Sequence, residues 1–382
     1  MKIGIDIRTL MDRRYSGVSE YAFNLVKEIL KQDKNNKYKL FYNSAGDIAS
    51  RMPDFNYDNC AIIKGRYPNK LLNYWLFKFF KRPKIDRLLG VDLFFMPHIN
   101  FIALSKESKF ILTIHDLSFL RFKDFFSWRK NFWHKMLNLK NLINRADKII
   151  TVSESSKSDI LDLFKTSPEK IKVIHSGIED NFRMIDKNDE SIIKIRKKYN
   201  LPEKFILFLG TIEPRKNISS LIQAYGQLHA HGRYAEYKLV IAGAKGWKNR
   251  NIFKAWSESS FVDDIKFIGY VAREDKIYIY NLAKVFVYPS FYEGFGFPPL
   301  EAMACGTPVI ASYASSLPEI LGRAALLIDP YNTADIAEAI DNVIADKELR
   351  NDLVVEGLAR AKEYKWGKTA GEYIKLFNAI KY

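Results

Sequence analysis

The sequence predicts an α/β protein made of two doubly wound parallel sheets, and three observations carry that prediction. Short β-branched and aromatic runs alternate with helical stretches, and the alternation plays through twice along the chain. The 382 residues suit two domains of ordinary size. The chain is 47% hydrophobic and 27% charged, a globular rather than disordered composition, with no internal repeat or low-complexity tract.

Taken in order, Lys2 to Arg8 reads as the first strand, Thr9 to Gly17 as a polar loop, and Ser19 to Leu30 as a helix with Tyr21, Leu25 and Ile29 on one face. Lys37–Tyr42, Cys60–Lys64, Val91–Met96, Lys109–Ile114, Asp147–Ser153 and Ile171–Ile174 are the further strands of the first half. His175 to Asp180 reads as a crossover, and 181–202 as a helix and linker. The second half opens with the strand Phe205–Gly210 and continues through Tyr237–Gly243, Ile265–Val271, Val285–Tyr288, Thr307–Ser312 and Ala324–Ile328. Helices fill Ala334 to Glu363, and Trp366 to Ile380 is a last amphipathic helix.

One stretch, Val287 to Ser312, organises the rest. It reads strand, Gly-broken loop (Glu293-Gly294-Phe295-Gly296-Phe297), Pro-led short helix (Leu300–Ala304), strand. A helix N-terminus offers unpaired N–H groups and partial positive charge, and the glycines let a ligand approach the backbone. Glu293 lies before the loop, and Glu301 is expected in the first helical turn, where an acid can equally be plain dipole complementation. Arg215 and Lys216 sit between a strand and a helix, where two cations can meet phosphate. His115-Asp116 closes a strand at its carboxyl end, where open α/β sheets bind ligands. Gly17 opens a helix after a strand, as a turn residue or a phosphate-side glycine, without a full G-x-G-x-x-G.

Glu293, seven intervening residues and Glu301 match E-x7-E, and EGFGFPPLEAMACGTPVIAS resembles the family-four retaining glycosyltransferases of the GT-B fold, in look the bacterial mannosyltransferases of polysaccharide and O-antigen assembly. GTIEPRKN and TIHDLSF are similar to further segments of that family. The resemblance covers nearly the whole chain. It implies two Rossmann-like domains facing a cleft, residues 1–178 plus 366–382 on the acceptor side and 179–365 binding the donor, with the C-terminal helix crossing back. It implies transfer of a hexose from a nucleotide-diphosphate sugar, with retention by front-side attack. In that scheme Glu293 and His115 serve the sugar. Arg215, Lys216 and the amides of Phe295, Gly296 and Phe297 hold the diphosphate and sugar, Glu301 the ribose, Tyr270 and Val271 the base, and Gly17 the donor phosphate and acceptor. Mannose from GDP-mannose is the first choice of donor, with UDP- and dTDP-sugars open. The acceptor is expected to be a lipid-linked or cell-surface glycan.

No cofactor and no metal are expected: the sequence has no Asp-x-Asp, no H-E-x-x-H and no Cys-x-x-Cys. Two cysteines, Cys60 and Cys305, suit a reducing cytosol, and Met1–Ile7 reads as a strand rather than a signal peptide. No run of about eighteen apolar residues occurs, so no segment is expected to span a bilayer. The net charge of +16 is uneven: residues 1–178 carry 32 Lys and Arg against 18 Asp and Glu, whereas 179–382 carry 28 against 26. Such asymmetry points the first half at an anionic partner. Leu71, Leu72, Trp75, Leu76, Phe79 and Phe80 fall at spacings of about three and four, an α-helical apolar stripe among Lys70, Lys78, Lys81 and Arg82, and a second aromatic–basic cluster spans Phe119–Trp133. Both fit a peripheral protein at the inner face of the cytoplasmic membrane, or a stripe facing the core. A basic nucleic-acid- or membrane-binding protein without catalysis is the rival class, although no nucleic-acid recognition motif is visible and no nucleic-acid partner is expected.

Overall fold

Thirteen short strands divide between two parallel sheets in the computed structural model, which describes residues 1–12, 15–186, 188–230 and 234–380. Positions 13 and 14 of the polar loop after the first strand lie outside the described residues. The first sheet holds β1 (Lys2–Asp6), β2 (Lys37–Asn43), β3 (Cys60–Gly65), β4 (Leu93–Met96), β5 (Lys109–Ile114), β6 (Lys148–Thr151) and β7 (Ile171–Val173), in the order β3-β2-β1-β4-β5-β6-β7. The second holds β8 (Lys204–Leu209), β9 (Tyr237–Ala242), β10 (Ile265–Gly269), β11 (Val285–Tyr288), β12 (Val309–Ser312) and β13 (Leu326–Ile328), in the order β10-β9-β8-β11-β12-β13. Central strands such as β8 and β11 are apolar on both faces because helices cover both sides of a parallel sheet. In each sheet the order reverses once, between β1 and β4 and between β8 and β11.

The chain folds into two compact units. One comprises Met1–Leu117, Arg129–Gly177 and Lys365–Tyr382; the other comprises Ser118–Trp128 and Ile178–Tyr364. Ser118–Trp128 thus packs with the second sheet. Phe126 stacks on Trp247 with centroids 5.8 Å apart, and the Trp247 indole donates to the Phe125 carbonyl at 2.7 Å. This part of the predicted aromatic–basic cluster is therefore packing, with Phe119 and Phe126 buried.

In the first unit the C-terminal helix Trp366–Ala379 lies along the helix Gly17–Gln32. Tyr21 and Tyr373 share a hydrogen bond of 2.5 Å between their hydroxyls, and the Tyr373 hydroxyl is 3.0 Å from Thr113 Oγ1.

The stripe at 71–80 departs from the expected period. Leu71–Phe80 winds as a π-helix, where residues five apart share a face. Leu72 and Phe77 point inward, at 0% and 3% exposure, while Trp75, Phe79 and Phe80 are 59%, 63% and 65% exposed. The strand predicted over Ile265–Val271 stops at Gly269, whose φ of +74° turns the chain away. The helix predicted from Leu300 begins earlier, at Phe297.

Candidate active site

Ligands in open α/β sheets bind beyond the carboxyl ends of the strands, where the order reverses. In the second unit that point lies between β8 and β11, and the loops after these two strands meet there. After β8, Glu213 leads a single turn, Pro214–Lys216, closed by the Lys216 amide donating to the Glu213 carbonyl at 3.1 Å. Asn217 then takes a left-handed φ of 56° and anchors its side-chain amide on the Pro330 carbonyl at 2.6 Å, starting the helix Ile218–His229. The loop after β11 is tied to this turn by the Phe291 amide donating to the Arg215 carbonyl at 3.0 Å.

Two cations and two carboxylates interlock in this corner. Lys216 Nζ donates to Glu293 Oε1 at 2.5 Å and to the Tyr288 hydroxyl at 2.5 Å. Arg215 Nη1 donates to Glu293 Oε2 at 2.9 Å and to the Tyr292 carbonyl at 2.7 Å. Arg215 Nε and Nη2 reach back to Glu213 Oε1 at 3.2 and 2.9 Å. Glu213 Oε2 is buried with no hydrogen-bond partner among the described residues. Burial would raise the Glu293 pKa, but Arg215 and Lys216 overcome it and hold the carboxyl at about 2. Burial and the Arg215 charge push the Lys216 ammonium below the usual lysine value, while Glu293 and Glu213 oppose them.

The Gly-broken loop is fixed by two serines. The Glu293 amide donates to Ser315 Oγ at 2.7 Å, and Ser316 Oγ donates to the carbonyls of Glu293 and Phe295 at 2.9 and 3.1 Å. Gly296 caps the helix Phe297–Ala304 at φ +105°, and a Cβ there would stand 2.7 Å from Leu317 Cδ2. Pro298 and Pro299 occupy the first turn.

Glu301 lies outside the four-charge cluster. It is the fifth residue of its helix rather than a first-turn acid, and it is buried. Its Oε2 accepts from the Tyr280 hydroxyl at 2.8 Å, and its Oε1 lies 4.0 Å from Lys276 Nζ. Tyr270 is exposed beyond the end of β10, and Val271 is buried.

In the first unit, β1, β4 and β5 end at Asp6, Met96 and Ile114. Arg8 folds back on Asp6, with Nη2 to Oδ2 at 2.6 Å. His115 Nε2 lies 2.8 Å from the Pro97 carbonyl, which can only accept, so that nitrogen carries the proton and Nδ1 of the neutral ring is an acceptor. Burial keeps the ring neutral by lowering its pKa against the pull of the Pro97 carbonyl and Asp116. Gly17 opens the helix Gly17–Gln32 behind Ser16, whose hydroxyl accepts from the Ser19 amide at 3.4 Å.

Comparison with known proteins shows the family and the fold. Residues 15–182 match the family described as Glycosyltransferase Family 4, and residues 191–359 match Glycosyl transferases group 1. An uncharacterized glycosyltransferase of Methanocaldococcus jannaschii is 30% identical over 76% of this chain and 76% of its own length. The chain belongs to the family-four glycosyltransferases. The O-antigen chain mannosyltransferase B of Escherichia coli is 29% identical to this glycosyltransferase over 96% of both chains. The serotype-specific mannosyltransferase WbdA of Escherichia coli is 33% identical over 71% of this chain, which spans about a third (34%) of that longer protein. The two doubly wound sheets are the GT-B fold. Sucrose-phosphate synthase from Thermosynechococcus elongatus shares it with a TM-score of 0.75 at 21% identity, over 99% of this chain and 98% of that one. Anabaena HepE, in complex with UDP and glucose, shares it at 0.72 and 16% identity over the full length (100%) of both.

The sequence reading missed several partners in this glycosyltransferase. Glu213, Tyr288, Ser315 and Ser316 hold the cations and the loop, and Tyr280 holds Glu301. Glu213 had a signal, being the lone acid beside Arg215 and Lys216 in GTIEPRKN. Nothing in sequence spacing singles out Tyr280 or the serines.

Proposed function

We propose that this glycosyltransferase moves a hexose from a nucleotide-diphosphate sugar to a glycan acceptor, with retention and without a metal ion. The observation that carries the reading is the convergence of Arg215 and Lys216 on Glu293 at the switch point of the second sheet. A guanidinium and an ammonium fixed there are preorganised for the charge that grows on a leaving diphosphate. In this reading the bond from the anomeric carbon to the phosphate oxygen breaks with its electron pair going to the diphosphate. The acceptor oxygen bonds to the same face, and its proton passes to the leaving phosphate. Glu293 faces the developing positive charge on the sugar, and the acceptor nitrogen of His115 takes a sugar hydroxyl. The amides of Phe295, Gly296 and Phe297 line the loop for the remaining hydroxyls. Glu301, held by Tyr280, is assigned to the ribose, Tyr270 and Val271 to the base, and Gly17 to the donor phosphate and acceptor.

Mannose from a GDP donor is the favoured substrate, since the mannosyltransferases above include one that matches nearly end to end. A lipid-linked glycan is the favoured acceptor. UDP- and dTDP-sugars are the alternative donors. The test is a thermal-shift panel of nucleotide sugars followed by transfer assays with EDTA present, on wild type and Lys216→Gln, which keeps a hydrogen-bonding group but removes the charge. GDP-mannose should raise Tm most, and transfer should persist in EDTA and fall by about a hundredfold or more in the variant. Near-normal turnover by Lys216→Gln would remove the diphosphate role; stabilisation by a UDP- or dTDP-sugar alone would reassign the donor.

A further inference from the structure

The π-helix Leu71–Phe80 uses its inner face completely. Leu72 and Phe77 are buried, the Arg8 guanidinium lies 5.6 Å from the Phe77 ring, and Arg8 Nη1 donates to Asn73 Oδ1 at 3.2 Å. Tyr74 packs on Phe101 at 5.3 Å, and Phe101 meets Trp133 at 5.7 Å. Lys78 Nζ donates to the Met136 carbonyl, so the helix Trp128–Leu137 lies alongside. The outer face is a different surface. Leu71, Trp75, Phe79 and Phe80 project from it, and Phe132 of the neighbouring helix is also exposed, at 53%. A row of large apolar side chains exposed to this degree is unusual for a surface with no partner.

Along the chain, the stretches that carry this row hold charges of one sign. Residues 64–85 contain seven Lys and Arg and no Asp or Glu, and residues 129–146 contain five and none. Lys70, Lys81 and Arg82 flank the π-helix and are exposed. Apolar rings beside one-signed basic charge suit a surface that is anionic at its boundary and apolar just beneath, which describes an anionic bilayer. Nucleic acid would answer the charge but leave Leu71 and the Phe79–Phe80 pair without a pairing chemistry. No described helix is long and apolar enough to cross a membrane.

We propose that the outer face of the π-helix, with Trp75, Phe79 and Phe80 entering the headgroup boundary and Lys70, Lys81 and Arg82 on lipid phosphates, docks this protein on an anionic membrane. The inference does not depend on the donor assignment. Two signals are needed because neither a few rings nor a basic patch alone holds a protein stably.

The experiment is co-sedimentation of the full chain with vesicles of phosphatidylcholine, with and without phosphatidylglycerol. Two variants accompany it, Trp75→Ser/Phe79→Ser/Phe80→Ser and Lys70→Glu/Lys81→Glu/Arg82→Glu. All six side chains are exposed, so both variants should keep the wild-type Tm, which is measured alongside. Wild type should partition onto the phosphatidylglycerol vesicles and not onto pure phosphatidylcholine. Each variant should lose about tenfold or more of that partitioning. Indifference of wild type to lipid, or undiminished binding by the serine variant, overturns the proposal. So does displacement from vesicles by duplex DNA that the serine variant binds equally well, which would assign the patch to nucleic acid.

Discussion

Arg215 and Lys216 are already engaged by Glu293, so a diphosphate reaching those cations has to compete with a buried carboxylate. Glu293→Gln removes the competitor's charge. The free nucleoside diphosphate should then bind tighter, by about tenfold, while sugar transfer falls by about a hundredfold or more. Calorimetry and turnover measure the two effects separately; weaker diphosphate binding by the variant would mean that Glu293 holds the cations in place rather than competing for them. The same pair fixes a pH dependence. The Glu293 pKa sits at about 2 in the fold against 4.5 unperturbed, so its stabilisation is present above 4.5 and is lost as pH falls toward 2. That difference amounts to about 3 kcal/mol at most. Lys216 has the opposite sign, because its lowered pKa makes its charge costly at neutral pH, a cost relieved only as pH rises through its folded value. The acid limb therefore isolates Glu293: the Tm gap between wild type and Glu293→Gln should close between about pH 5 and about pH 2.

At the scale of elements, the Gly-broken loop and its helix stand on one backbone position. Gly296 has φ +105°, in a region costly for residues with a Cβ, and Leu317 blocks the added methyl at 2.7 Å. Gly296→Ala should lower stability by about 1–3 kcal/mol and weaken donor binding, as denaturant titration and thermal shift would show. An unchanged variant would mean that the loop relaxes without cost. This loop was legible because glycine and proline announce it, and the strands were legible because doubly covered strands are continuously apolar. The helix Lys276–Leu282 was not legible. Its sequence KIYIYNL alternates β-branched and aromatic residues like a strand, yet Ile277 and Tyr280, and Ile279 and Leu282, are buried at helical spacing. Packing overrode local preference there, and with it went the partner of Glu301. The π-helix was misread for a related reason: its residues were placed with a 3.6-residue period that its backbone does not follow.

Across the whole molecule, alternation of elements predicted two sheets, but sequence order could not show where the strand order reverses or that Ser118–Trp128 packs with the second sheet. Those depend on contacts between distant residues, whereas the return of the C-terminal helix to the first unit is as the family resemblance implies. The chain leaves the first unit after Gly177 and re-enters it at Lys365. A Cβ at Gly177 would sit 2.1 Å from the Trp366 amide nitrogen, and Thr369 Oγ1 donates to the His175 carbonyl at 2.8 Å. Beyond that crossing, Tyr373 and Phe377 are wholly buried (0% exposed) and Trp366 lies 5.6 Å from Tyr21, which in turn meets the His115 ring edge-on at 4.5 Å. Full burial of each such side chain contributes about 1.5–3 kcal/mol, so three or four approach the about 5–15 kcal/mol that holds a domain together. A chain ending at Tyr364 should therefore lose the cooperative melting of the first unit and keep that of the second, read by calorimetry and by hydrogen exchange in β1 and β5. Tyr373→Phe is the milder test. It removes the hydroxyl shared with Tyr21 and Thr113 and should cost about 1–3 kcal/mol in the first unit alone. Two intact transitions in the truncated chain would show that the helix covers the first sheet without sustaining it.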